Sequence, residues 1–115
     1  VSVRSYPTVD GLRAGEVTLS SVKVSGSSMV GAKDHGFSIL DKVIDHAIAA
    51  TAAEATGAMS ALNDMTLDYI KTREQFGQPI GKFQVLQHRM VDMFIAHEES
   101  KSMAMMAARA ALANA

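Results

Sequence analysis

Hydrophobic and polar positions follow two different rhythms along this chain. Over residues 1–33 the apolar side chains Val1, Val3, Val17, Leu19, Val22 and Val24 alternate with polar neighbours, the period-two pattern of half-buried strands. Asp10-Gly11 supplies a hairpin turn, and residues 16–24 read as a partner strand or a bulged one. Gly26, Ser27, Ser28, Gly31 and Gly36 then mark a loop. An isolated hairpin is marginal in water, so this segment is expected to be the tail of a larger β-domain.

From Phe37 the period lengthens. Phe37, Leu40, Ile44, Ile48, Thr51, Ala55, Met59, Leu62, Thr66 and Tyr69 recur at steps of three and four, which predicts one apolar stripe on a helix running to about Arg73. Gly57 interrupts it at a cost of roughly 1 kcal/mol against Ala. A close helix crossing at that point would account for the glycine. Gly77, Pro79 and Gly81 break the pattern. A second helix is predicted from about Phe83 to the end of the chain, with Leu86, Met90, Met93 or Phe94, His97, Met103 or Ala104, Ala107 and Ala108 as its stripe. Two long helices joined by a short connector read as antiparallel neighbours in an up-down four-helix bundle. The predicted fold is therefore mainly α, with a short β-hairpin remnant in front. Two helices alone cannot bury both stripes, so further helices are expected from elsewhere, in this short form from a dimer mate.

Composition narrows the class. The chain has 115 residues and a net charge of −1 from 11 basic and 12 acidic side chains, so no strong field favours nucleic acid or an anionic membrane. The absence of Cys excludes disulfides and thiolate metal sites and fits a cytoplasmic protein. Asp41, Lys42, Asp45, His46 and Glu54 break the most apolar stretch, which excludes a membrane span there. Eight Met and many Ala suit closely packed helices. The chain begins at Val1 and stops within an Ala-rich helical run without a stop signal, so both ends are expected to be internal to a longer protein.

The chemistry concentrates in the connector, Arg73-Glu74-Gln75-Phe76-Gly77-Gln78-Pro79-Ile80-Gly81-Lys82-Phe83-Gln84. Arg73 stands at a helix end, where a cation complements the dipole. Its planar fork also suits phosphate. Gln75 and Gln84 can hydrogen-bond the same ligand, and Phe76 can pack on a flat ring or anchor the turn. The histidines His35, His46, His88 and His97 form no metal set; His88 and His97 fall about 180° apart on one helix. His46 reads as a packed or capping residue. Asp41 and Asp45 are expected to interact favourably with the helix N-terminus, and Glu98 and Glu99 to lie on a solvated face. None of these carboxylates is nominated as a catalytic base. Met103, Met105 and Met106 read as core filling.

Taken together, these residues resemble the acyl-CoA dehydrogenase family, essentially along the whole chain. The resemblance rests on Val22-Lys23-Val24 with the loop to Gly31, on Gly36 before a long helix carrying Gly57, and on Tyr69-Ile70-Lys71-Thr72-Arg73. It continues through Gln75-Phe76-Gly77-Gln78-Pro79-Ile80, Phe83-Gln84-Val85-Leu86-Gln87-His88 and Met90-Val91-Asp92-Met93. It implies that residues 1–33 end the middle β-domain and that 34–115 begin the C-terminal helical domain of a tetrameric flavoenzyme. It implies FAD as cofactor, with Arg73 on the pyrophosphate and Gln75, Phe76 and Gln84 lining FAD bound mainly by a neighbouring subunit; Ile80 and Phe83 lie close by. The implied reaction is α,β-dehydrogenation of an acyl-CoA thioester, with electron-transfer flavoprotein as partner. The family's catalytic Glu lies beyond the end of this chain and its flavin-holding strands before Val1, so these 115 residues alone are expected to be inactive. One departure stands out. The family pattern places an Arg nine residues before the mid-helix Gly, where this chain has Ile48. The stretch Asp45-His46-Ala47-Ile48 resembles instead the small subunits of two-subunit members, pimeloyl-CoA dehydrogenase among them. A non-catalytic helical assembly subunit is the alternative.

Overall fold

In the computed structural model, which describes residues 1–113, the chain falls into two compact units, Val1–Asp34 and His35–Ala115. The first is a hairpin of β1 (Ser2–Pro7) and β2 (Arg13–Thr18). The strands pair antiparallel from Ser2 opposite Thr18 to Pro7 opposite Arg13. Asp10 and Gly11 do form the turn, inside a five-residue loop. Thr8 N–H donates to the Leu12 carbonyl at 3.0 Å and Gly11 N–H to Thr8 at 3.1 Å, and Gly11 sits at φ +82. The Asp10 carboxylate accepts from the Thr8 hydroxyl and, at 3.1 Å, from Leu12 N–H. The partner strand begins earlier and ends earlier than the alternation predicted. The turn places Arg13 opposite Pro7, and β1 begins at Ser2, so residues beyond Thr18 have no strand to pair with. Leu19, Val22 and Val24 are exposed, and of the two strands only Ala14 is half-buried. Ser25 then caps a single 3₁₀ turn, Gly26–Ser28.

The second unit contains α1 (Gly36–Thr72), a short connector and α2 (Gln84–Ala113). The expectation that α2 continues through residues 114 and 115 falls outside the described residues. Within α1, the hydroxyls of Thr51, Thr56, Thr66 and Thr72 each donate to the carbonyl four residues back, so these β-branched residues satisfy their own polar atoms on the helix surface. Helix α2 crosses back antiparallel; Asn63 Nδ2 reaches the Met93 carbonyl at 3.4 Å.

The two stripes fared differently. On α2 the packed face is Leu86, Met90, Met93, His97, Ser100, Ala104, Ala107 and Ala111, close to the expected one. On α1 the packed face is Ala49, Ala52, Thr56, Ser60, Asn63 and Ile70, with Ile39 and, from the expected stripe, Thr66 also half-buried. It lies about one residue, or 100°, round from the expected stripe. Small residues on both helices let the backbones approach, and the larger Leu40, Ile44, Ile48 and Leu62 remain exposed. Met103, Met105 and Met106 are likewise exposed rather than core. Gly57 marks no crossing within this chain, because a Cβ there would meet nothing within 4 Å. His46 is exposed, and His35 occupies the N-cap position without a side-chain cap bond. Asp41 and Asp45 fall beyond the first turn of α1, which holds no acidic residue, and the dipole's influence fades within that turn.

Only Ala49, Ile70, Ala104 and Ala111 are buried among the hydrophobic residues described. Large apolar side chains stay exposed in both units, among them Val3 and Val17 in the hairpin and Phe37, Ile44, Leu62 and Phe94 on the helices. Two helices and a hairpin therefore leave much apolar surface uncovered. No helix among the described residues is long and apolar enough to cross a membrane.

Candidate functional site

The connector is a folded element. Helix α1 ends at Arg73, whose backbone turns extended (φ −72, ψ 124) while its N–H still donates to the Tyr69 carbonyl at 2.8 Å. Two short strands follow, β3 (Glu74–Gln75) and β4 (Gln78–Pro79), with Glu74 opposite Pro79 and Gln75 opposite Gln78. The two-residue loop between them is Phe76-Gly77, at φ +55 and +75. Two consecutive positive φ values are the signature of a type I′ turn, which matches the twist of a tight hairpin. Gly adopts that conformation freely, but Phe76 carries backbone strain there. Ile80 N–H closes the hairpin onto the Arg73 carbonyl at 2.8 Å. A 3₁₀ turn, Ile80–Lys82, leads to Phe83, whose carbonyl accepts from Leu86 and Gln87 N–H at 3.0 and 3.2 Å and so starts α2.

Of the four residues expected at a cofactor site, Arg73, Gln75 and Phe76 lie on this connector and Gln84 opens α2, all with exposed side chains. None forms a side-chain hydrogen bond or ion pair with another described residue. Phe76 is 92% exposed, an unusual position for a large ring, and its edge-to-face neighbour is Phe83 at 6.1 Å between centroids and 85° between planes. Ile80 and Phe83 are half-buried and brace the turn from below. A cleft of about 410 Å³ beside the connector is lined by Leu67, Ile70, Lys71, Pro79, Gly81, Lys82, Gln87 and Met90; the four expected residues lie outside it.

The connector thus offers a guanidinium with no carboxylate partner among the described residues, two free amides and a projecting aromatic face. Such a set suits an anionic ligand with a flat ring. Elsewhere little chemistry gathers. No group of three metal-ligating side chains forms among the described residues. His97 is mostly buried, with its Nδ1 3.6 Å from Glu98, and Glu98 also lies 3.7 Å from Lys101. Three features escaped the sequence reading: the strained backbone of Phe76, the Phe76–Phe83 contact and the tight seat of Gly81 against Ile70. Phe-Gly is not the Asn-Gly pair that announces a type I′ turn, and contacts of Gly81 with α1 are invisible to spacing.

The connector lies within a stretch that matches known proteins. The family model for the acyl-CoA dehydrogenase C-terminal domain matches residues 34–115. The chain is 34% identical over 100 residues to a probable acyl-CoA dehydrogenase, YngJ, of Bacillus subtilis, covering 87% of this chain and 26% of that protein. It is 40% identical over 89 residues to the acyl-CoA dehydrogenase IpdE2 of Mycolicibacterium smegmatis, covering 77% of this chain and 25% of that protein. A mitochondrial 2-methylacyl-CoA dehydrogenase of Solanum tuberosum is 33% identical over 87 residues, 76% of this chain and 21% of that protein. The chain thus spans about a fifth to a quarter of the length of these curated relatives. No solved structure matches it significantly.

Proposed function

This chain belongs to the acyl-CoA dehydrogenase family, and from that premise we propose that its connector is one half of an FAD site in an oligomeric, FAD-dependent acyl-CoA dehydrogenase. Residues 1–33 are then the tail of the middle β-domain, and 34–115 the first part of the helical domain. Arg73 neutralises pyrophosphate charge, Gln75 and Gln84 hydrogen-bond the cofactor, and Phe76 lies against its flat portion. FAD, when bound, supplies the hydride acceptor for α,β-dehydrogenation of an acyl-CoA thioester, with electron-transfer flavoprotein as the onward acceptor.

The observation that carries this reading is the presentation of Phe76. A ring held 92% exposed on a strained backbone is costly unless something covers it, and such strain gathers at ligand sites. The unpaired Arg73 beside it supplies the complementary charge. The uncovered faces of α1 and α2 support the second half of the proposal, in which two further helices complete a four-helix bundle and subunits meet around it.

A second reading has its own support. Ile48 stands where the family pattern has an Arg; it lines a hollow of about 150 Å³ with Asp45, Ala107, Ala110 and Ala111, and an apolar groove of about 380 Å³ with Ile44, Ala47, Thr51, Ala52 and Ala55. A subunit without that Arg contributes FAD contacts and assembly surface to a heteromeric enzyme, while a partner supplies the substrate pocket. Purification of the full-length protein separates the two. A yellow protein whose flavin bands bleach with an acyl-CoA is expected for the enzyme. A protein that becomes yellow and bleaches only when co-purified with a second subunit identifies the assembly role. A colourless protein in both forms contradicts the proposal.

A further inference from the structure

Gly81 occupies a place that no side chain fits. A Cβ on Gly81 would lie 2.9 Å from the carbonyl oxygen of Ile70, 3.3 Å from its carbonyl carbon and 3.4 Å from its Cγ1. The obstructing atoms belong mainly to helix backbone, which cannot swing aside as the tip of a long side chain can. Ile70 itself is only 8% exposed, held in the seam between the helices. Conformational freedom is not what Gly81 contributes, since it is absent from the residues with positive φ, unlike Gly77. Its role is closeness: the connector lies directly on the last turn of α1. By contrast, a Cβ at Gly77 or Gly57 would meet nothing within 4 Å.

That seat is wired to the residues that face outward. Ile80, next to Gly81, donates its N–H to the Arg73 carbonyl at 2.8 Å. The Gly81 carbonyl accepts from Gln87 Nε2 at 2.9 Å. Phe83, two residues on, donates its N–H to Ile80 at 3.1 Å and holds the Phe76 ring edge-on. Lifting Gly81 off Ile70 therefore moves Ile80 and Phe83 together, and with them the backbone of Arg73 and the ring of Phe76.

We propose that Gly81 is a positioning residue: its missing Cβ lets the connector seat on the Ile70 carbonyl, and this close contact sets where Arg73 and Phe76 are presented. The proposal rests on the FAD reading above, and it adds a residue that touches no ligand itself. Misplacing a binding group by a fraction of an ångström to an ångström is expensive in a pre-organised site.

The test is a cycle of FAD affinities in the full-length, assembled protein, by titration of the apoprotein with FAD. Gly81→Ala is expected to weaken FAD binding about tenfold while helix content and assembly persist, by analogy with the cost of small misplacements. In an Arg73→Ala/Phe76→Ala background the same substitution is expected to change affinity by less than about twofold, because residues acting through one another are not additive. Wild-type affinity in Gly81→Ala overturns the inference, and so does a tenfold loss that persists in the double-variant background. If Gly81→Ala does not assemble, Gln87→Met removes the 2.9 Å tether without adding bulk at the seat. It is expected to weaken FAD binding a few-fold, and only when Arg73 and Phe76 are present; an unchanged affinity overturns the inference. The FAD reading fails separately, if Arg73→Ala/Phe76→Ala alone binds FAD as the wild type does.

Discussion

At the scale of single residues, the exposure of Phe76 bears on two roles that the sequence left open, anchor or ligand contact. An anchoring ring would be buried, and this one is 92% exposed. Replacing it with Asn, a residue at home in a type I′ turn, relieves about 1 kcal/mol of left-handed strain. The same change removes an edge-to-face contact worth about 0.5–1.5 kcal/mol. Phe76→Asn is therefore expected to leave the thermal stability of the full-length apoprotein nearly unchanged while weakening FAD binding several-fold. A large loss of stability with unchanged FAD affinity would assign Phe76 to the anchor role. Legibility at this scale was uneven for a physical reason. Arg73, Gln75, Phe76 and Gln84 announce their chemistry by side-chain type. The strain at Phe76 and the seat of Gly81 are properties of backbone geometry, which residue type does not encode.

At the scale of elements, α2 was readable and α1 only partly so. On α2 the apolar and small residues that pack coincide with the strongest periodic stripe. Helix α1 carries two usable faces, one of large side chains and one of Ala, Thr, Ser and Asn. The sequence signal favoured the large one, and the packed face is the small one, because close backbone approach outweighs side-chain size at this crossing. Enlarging it should cost stability: Ala104→Leu is expected to destabilise the α1–α2 pair by about 1–3 kcal/mol, read as a fall in unfolding midpoint. The hairpin makes a different prediction. The Thr8 hydroxyl, and secondarily Leu12 N–H, hold the Asp10 carboxyl below its ordinary value. A lowered folded pKa means that the turn's stabilisation is complete above the unfolded value of about 3.9 and is lost as pH falls through the folded one. Amide chemical shifts of residues 8–12 should therefore move only as pH falls below the ordinary carboxylate value of about 3.9, and Asp10→Asn should abolish that titration. A titration that survives in Asp10→Asn would assign it to another group.

At the scale of the whole molecule, many large apolar side chains of α1 and α2 lie exposed. The sequence pattern already led to the expectation of further helices, and the exposed faces of α1 and α2 are the surfaces the proposal assigns to them. Gly57 tests this. In the 115-residue chain Gly57→Ala should raise helix stability by about 1 kcal/mol, since the new methyl meets nothing. In the full-length assembly the same change should weaken association if another helix crosses there; equal effects in both would place no crossing at Gly57. The central claim is that this connector completes an FAD site. Titration of full-length apoprotein with FAD, wild type against Arg73→Ala, tests it most directly. Loss of a charge-assisted contact of about 1.5–3 kcal/mol corresponds to an affinity about 10- to 140-fold weaker, with the fold and assembly intact. An Arg73→Ala protein that binds FAD as tightly as the wild type would contradict the account.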